Sequence, residues 1–128
     1  METTIVAIIQ LKGALNGKQL VAEAQKLYDA GTRDLLLDMT KLTFISSTGL
    51  SALHHIALVY RGESQANFKE DRSDVHAMRK ERDSGFQFQE HVKLLNPSEA
   101  IEDVLDIVGF EAFFEIFTDF DSAIASFR

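Results

Sequence analysis

The chain has 128 residues, 45% of them apolar, and no cysteine. That is enough for one domain with a single core, and it excludes disulfides, thiol catalysis and cysteine-ligated metals. Twenty acidic residues against 13 basic ones leave a formal net charge of −7, which argues against a nucleic-acid or anionic-membrane binder because phosphate recognition needs clustered Lys and Arg. A partner surface on such a chain is expected to meet a basic or apolar face. No apolar run reaches the roughly 18 residues of a membrane span, and Met1-Glu-Thr-Thr lacks the basic flank of a signal peptide, so a soluble cytoplasmic protein is expected.

Residues 5–11 are β-branched and almost continuously apolar, which predicts a strand covered on both faces. Gly13 and Asn16-Gly17 interrupt it. Over 18–30, Leu20, Val21, Ala24, Leu27 and Tyr28 form the stripe of an amphipathic helix, and Gly31 stands where a left-handed C-terminal cap belongs. A second strand is predicted over 33–39, followed by a polar break at 38–41. The apolar stretch 42–45 then delivers Ser46, Ser47 and Thr48 to the start of a second helix. In that helix Leu50, Leu53, Ala57 and Tyr60 face inward. Ser47, Ser51, His54, His55 and Leu58 share the opposite face, where Leu58 reads as an exposed contact in line with Ser47. Gly62 ends the helix.

Residues 63–90 are dense in charge of both signs and poor in aliphatics, which predicts a mobile, solvated insertion in preference to the other reading, a partner-binding arm. Within it, 74–83 reads as a helix capped by Ser73. A strand is predicted within 86–96, at least over 91–95. Ser98 then caps a third helix whose stripe is Ile101, Val104, Leu105 and Val108, closed by Gly109. Phe110, Phe113, Phe114 and Phe117 fit helical spacing, while 113–117 fits an aromatic strand equally well. Alternating strands and helices point to an α/β layer fold without internal repeats.

Several chemistries lack support. His54 and His55 are neighbours on a helix and point about 100° apart, so they do not converge on one ion, and they read with His76 and His91 as surface histidines. A Ser-His-Asp hydrolase built from Ser47, a histidine and Asp38 would lack the Gly-x-Ser-x-Gly elbow. The seven glycines form no dinucleotide or P-loop motif. Ser47 itself has two readings: a helix N-cap worth about 1 kcal/mol, or a hydroxyl acceptor at a helix N-terminus, where an anion is electrostatically tolerated.

The order Asp38-Met39-Thr40, then Phe44-Ile45-Ser46-Ser47-Thr48-Gly49-Leu50, resembles the signature of the STAS domain, the fold of bacterial anti-sigma factor antagonists. There a strand ending in Asp-Leu-Ser leads to Phe-x-Asp-Ser-Ser-Gly-Leu. Val92-Lys-Leu-Leu-Asn-Pro-Ser98 resembles the family's fourth strand and the cap of its third helix. Gly109-Phe110 with Phe114-Glu-Ile-Phe117 resembles its last strand. The likeness spans most of the chain except roughly 63–90.

The resemblance implies a single domain over 1–128, with a four- to five-stranded mixed sheet and helices packed on one face. It favours a last strand near 114–118 and a terminal helix from Asp121. Family members often carry a further strand before the one at Ile5; without it, residues around Phe86 or a partner would cover the sheet edge. Ser47 matches the family's phosphorylated serine, with Ser46 in place of the usual Asp and Thr48 in place of the following Ser. Thr48 and Ser46 are alternative acceptors, and Asp38 and Gly49 shape the site. The implied role is non-enzymatic, with no cofactor and no metal. A face comprising Ser51, His54, His55 and Leu58 binds an anti-sigma factor with serine kinase activity, phosphorylation of Ser47 breaks that complex, and a phosphatase restores it. The competing role is a constitutive accessory subunit docked on a transporter ATPase or a scaffold. Oligomeric state is left open.

Overall fold

A computed structural model describes residues 5–62 and 89–127; most of the charged insertion, including the helix expected over 74–83, lies outside the described residues. The elements are β1 (Val6–Ala14), α1 (Gly17–Asp29), β2 (Asp34–Phe44), α2 (Ser47–Tyr60), β3 (Val92–Leu95), α3 (Glu99–Ile107), a 3-10 turn (Phe110–Ala112), β4 (Ile116–Phe117) and α4 (Phe120–Ala125). The strands lie in the order β1-β2-β3-β4 and every pairing is parallel. The expected mixed sheet is therefore corrected. Each connection between successive strands carries a helix, so every strand starts from the same end of the sheet as the last.

Because spatial order follows chain order, right-handed crossovers place α1, α2 and α3 on one face. The main core lies there, where Leu11, Leu35, Leu37, Met39 and Leu94 of the sheet meet Leu20, Leu53, Ile56, Ile101 and Leu105 of the helices. α4 is not a crossover between paired strands among the described residues. It packs on the other face, with Ala123 against Leu36 and Leu95. The one-face expectation holds for three helices and fails for the fourth.

A buried lysine ties α4 down. Lys93 on β3 is only 5% exposed. Its Nζ donates to the Ser126 carbonyl at 3.1 Å and to Ser126 Oγ at 2.8 Å, lies 3.2 Å from the Glu115 carboxylate, and sits 4.7 Å from the centre of the Phe127 ring. These contacts offset the cost of taking the ammonium out of water.

The second strand does not break at 38–41. It runs on to Phe44, absorbing extra residues where the pairing steps from Gln10–Asp38 to Lys12–Lys41, and from Gly13–Leu42 to Ala14–Phe44. The neighbouring β1 ladder holds the polar residues in strand geometry, and the bulges bend the strand end towards α2. Gly31 and Gly109 adopt the left-handed conformation expected of helix-terminating glycines, at φ 109° and 81°. The aromatic segment resolves into the 3-10 turn and a strand of two residues rather than one over 114–118. Phe110, Phe113 and Phe114 are fully buried in a cluster with centroid separations of 5.1 to 6.4 Å.

Tyr60 joins α2 to α1 by donating its hydroxyl to the Ala24 carbonyl at 2.8 Å, and its ring meets Tyr28 edge-on at 5.3 Å. Burial, outweighing the nearby Arg33 charge, pushes the phenol up to about 12. The folded state therefore holds this proton more tightly than the unfolded chain. Stability from the neutral phenol is complete below pH 10 and falls as pH rises from 10 towards 12. Tyr60→Phe is expected to lose about 1 kcal/mol near neutrality and to show a shallower alkaline decline, read from urea midpoints across that range.

Candidate functional site

Two helix N-termini stand side by side where β1 and β2 end. The Leu15 N–H donates to the Phe44 carbonyl at 3.0 Å, which ties the loop before α1 to the end of β2. Gly17 opens α1 directly against α2: a Cβ there would lie 3.0 Å from the Thr48 carbonyl oxygen and 3.2 Å from the Ala52 Cβ. Gly49 sits under Leu15, where a Cβ would approach the Ile45 side chain to 2.9 Å and Leu15 to 3.0 Å. Small residues at 17 and 49 are what allow the two termini to meet.

Asn16 caps α1 by accepting the Gln19 N–H at 3.0 Å. Ser46 caps α2, with extended backbone (φ −96°, ψ 175°) and its Oγ accepting the Gly49 N–H at 3.3 Å. The cap is thus one residue before Ser47. Ser47 is the first helical residue and is exposed, while Ser46 and Thr48 are half-buried. Neither helix has an acidic residue in its first turn. An anion on the Ser47 hydroxyl would meet the positive end of α2 with no carboxylate in that turn to oppose it. Ser46→Ala is expected to destabilise the domain by about 1 kcal/mol and Ser47→Ala by far less, since only the first removes a cap; chemical denaturation of the two variants checks this.

Asp38 belongs to a different group. Its Oδ1 accepts the Thr40 hydroxyl at 2.6 Å and the Thr40 N–H at 3.0 Å, and Asn96 Nδ2 donates to the Thr40 hydroxyl oxygen at 3.3 Å. Partial burial pushes the Asp38 carboxyl up, but hydrogen bonds from Thr40 and Gln10 and the charge of Lys41 outweigh it and hold the group below its ordinary value. No recorded hydrogen bond links Asp38 to Ser47. Asn96 takes φ 51°, the left-handed conformation Asn tolerates, and its N–H donates to the Phe117 carbonyl at 2.6 Å. Sequence reasoning missed Asn96, Gln10 and Thr40 as members of this group; the Asn96-Pro97 dipeptide was the available turn signal.

The proposed docking face is corrected. Ser51, His54, His55 and Leu58 are 0%, 2%, 7% and 9% exposed. The histidines at 54 and 55 are therefore buried, not surface residues, and Leu58 is not an exposed contact. α2 is the middle helix of its layer: Gly17 and Ala24 of α1 bear on one side, and Phe113 packs edge-on against His54 at 6.0 Å on another. Phe44, three residues before Ser47 at the end of β2, is 58% exposed. Among the described residues, no group of three His, Asp or Glu side chains could hold a metal ion, and no helix is long and apolar enough to cross a membrane.

This chain, a parallel four-stranded sheet with a serine-rich loop feeding its second helix, shares its overall fold with solved anti-sigma factor antagonists. The chain matches a Thermotoga maritima protein assigned as an anti-sigma factor antagonist, with a TM-score of 0.65 and 17% identity over 96% of this chain and 87% of that one. It also matches the Bacillus cell fate determinant SpoIIAA in its phosphorylated form (TM-score 0.57, 18% identity, 100% and 96% covered). The match to the anti-sigma factor antagonist SpoIIAA in its unphosphorylated form has a TM-score of 0.52 and 16% identity over 98% and 90% of the two chains. No family model and no curated protein matches the sequence.

Proposed function

We propose that this protein is a non-enzymatic partner-switching regulator of the anti-sigma factor antagonist kind, controlled by phosphorylation of Ser47. One observation carries this: Ser47 is an exposed hydroxyl at the first turn of α2, released from capping by Ser46, on the fold of a protein known in both phosphorylated and unphosphorylated forms. The partner is an anti-sigma factor with serine kinase activity, which supplies the ATP, and a phosphatase resets the switch. Ser46 and Thr48 are weaker acceptors, because one is engaged as the cap and both are half-buried. Phe44 provides the apolar anchor beside the switch, in place of the buried face of α2.

Phosphate adds about −1.5 to −2 charges and three acceptor oxygens. Against the apolar or acidic surface of a docked partner that charge is strongly unfavourable, whereas at the free N-terminus of α2 it is not. The modification therefore breaks the complex and leaves the fold intact. The test is recovery of the protein from its native cell with its bound partner, followed by intact-mass and fragment analysis. A chain carrying one phosphate on Ser47 when free and none when in complex supports the switch. Permanently unmodified protein under every growth condition counts against it.

A further inference from the structure

We infer that α4 is a hinged flap that opens from the sheet and recloses while the rest of the domain stays folded, with Lys93 as its fastener. This goes beyond the Ser47 switch and does not depend on it. A helix of six residues falls far short of the roughly 12 to 15 needed to persist alone in water, so α4 exists only where it is docked. Its docking is slight. Ala123 is the buried residue of α4, while Phe120 is 47% exposed. By contrast, α3 sinks both Ile101 and Leu105 into the main core. Covering an alanine removes little apolar surface from water, and Ile124 and Phe127 are only partly buried.

The polar contacts divide in the same way. Asp119 caps the helix by accepting the Ser122 N–H at 2.9 Å, the Ser126 N–H donates to the Ser122 carbonyl, and the Phe127 N–H donates to the Ile124 carbonyl. Those bonds run within 119–127 and hold nothing to the sheet. Among the described residues, the hydrogen bonds that cross from the sheet to this segment both start at Lys93 Nζ and end on the Ser126 carbonyl and hydroxyl. On opening, water replaces both and rehydrates the ammonium, so these bonds are exchanged rather than forfeited. Little buried apolar surface and a tether that water can substitute let a segment open well below the cost of global unfolding. Opening uncovers Leu36 and Leu95. Ile8 pairs with Leu36 on the same side of the sheet and is 44% exposed, so the flap sets the extent of an apolar strip on this face.

The test is hydrogen exchange of the full chain, followed amide by amide by NMR in water and in low urea. The amides of Ala123, Ser126 and Phe127 are expected to exchange roughly a hundredfold faster than those of Leu35 and Leu94, with a much weaker dependence on urea. Lys93→Met keeps the apolar stem but leaves the Ser126 carbonyl without its donor, and is expected to speed α4 exchange about tenfold. Ser126→Ala removes one of the two acceptors and acts in the same sense, more weakly; it decides the matter if Lys93→Met fails to fold. Leu53→Ala weakens the main core equally in the closed and open forms. It is therefore expected to speed exchange at Leu35 and Leu94 and to leave α4 unchanged. Exchange of α4 that follows Leu35 and Leu94 in urea, or quickens with Leu53→Ala, shows that α4 opens only with the whole domain and overturns the inference. So does exchange of α4 indifferent to both Lys93→Met and Ser126→Ala.

Discussion

Ser47→Asp is expected to cost the complex with the regulatory partner about 3 kcal/mol, a loss of a hundredfold or more in affinity, while Ser47→Ala binds as tightly as the wild type. A full phosphate, with nearly twice the charge, is expected to cost about 4 kcal/mol, or roughly a thousandfold. The effect arises in the complex, where the charge loses water and faces the partner. In the free chain it meets the first turn of α2, which contains no acidic residue. Ser47→Asp should therefore melt no lower than the wild type, and a gain of about 0.3 to 1 kcal/mol is expected from the helix dipole. Calorimetric titration against the recovered partner, paired with thermal melts of the free variants, separates lost binding from lost folding. Equal affinities for the Asp and Ala variants would refute the switch.

Phe114→Ala carries the largest expected loss of stability, about 3 to 5 kcal/mol, because it removes a fully buried ring and leaves a cavity. Phe114 stands 5.1 Å from Phe113 and 5.6 Å from Phe110 between ring centroids, and its N–H donates to the Phe110 carbonyl at 2.8 Å. These rings anchor the segment between α3 and β4 and support the side of α2 that carries His54. Against the roughly 5 to 15 kcal/mol that keeps an ordinary domain folded, the substitution brings the protein close to its margin. Urea unfolding should show a large fall in the midpoint for Phe114→Ala and a shift within about 0.5 kcal/mol for Phe44→Ala, whose ring is largely in water. A small effect at Phe114 would mean that the aromatic cluster is not part of the core.

The elements themselves were legible because their signals are local. The stripe of Leu20, Ala24 and Leu27, the cap at Ser98 and the left-handed glycines at 31 and 109 each depend on residues within a few positions. The start of α2 was legible to within one residue. Whether Ser46 or Ser47 caps it depends on which residue takes the extended backbone, and two adjacent serines do not distinguish this. The polar break at 38–41 misled because an isolated strand ends there, whereas a paired one is carried through by its neighbour.

The face of α2 bearing Ser51, His54 and His55 was misread for a related reason. Polar side chains on one side of a helix indicate water only when that side lacks a neighbour, and here the Phe113 ring packs edge-on against His54. The serine-rich loop, the order of strands and helices, and the absence of thiol chemistry were set by the amino acids alone, since each follows from nearby residues or from composition. The direction of the strands, the side taken by α4, the burial of the two histidines and the exposure of Ser47 were decided only by the tertiary structure. Each depends on which distant segment packs alongside, and no local pattern carries that information.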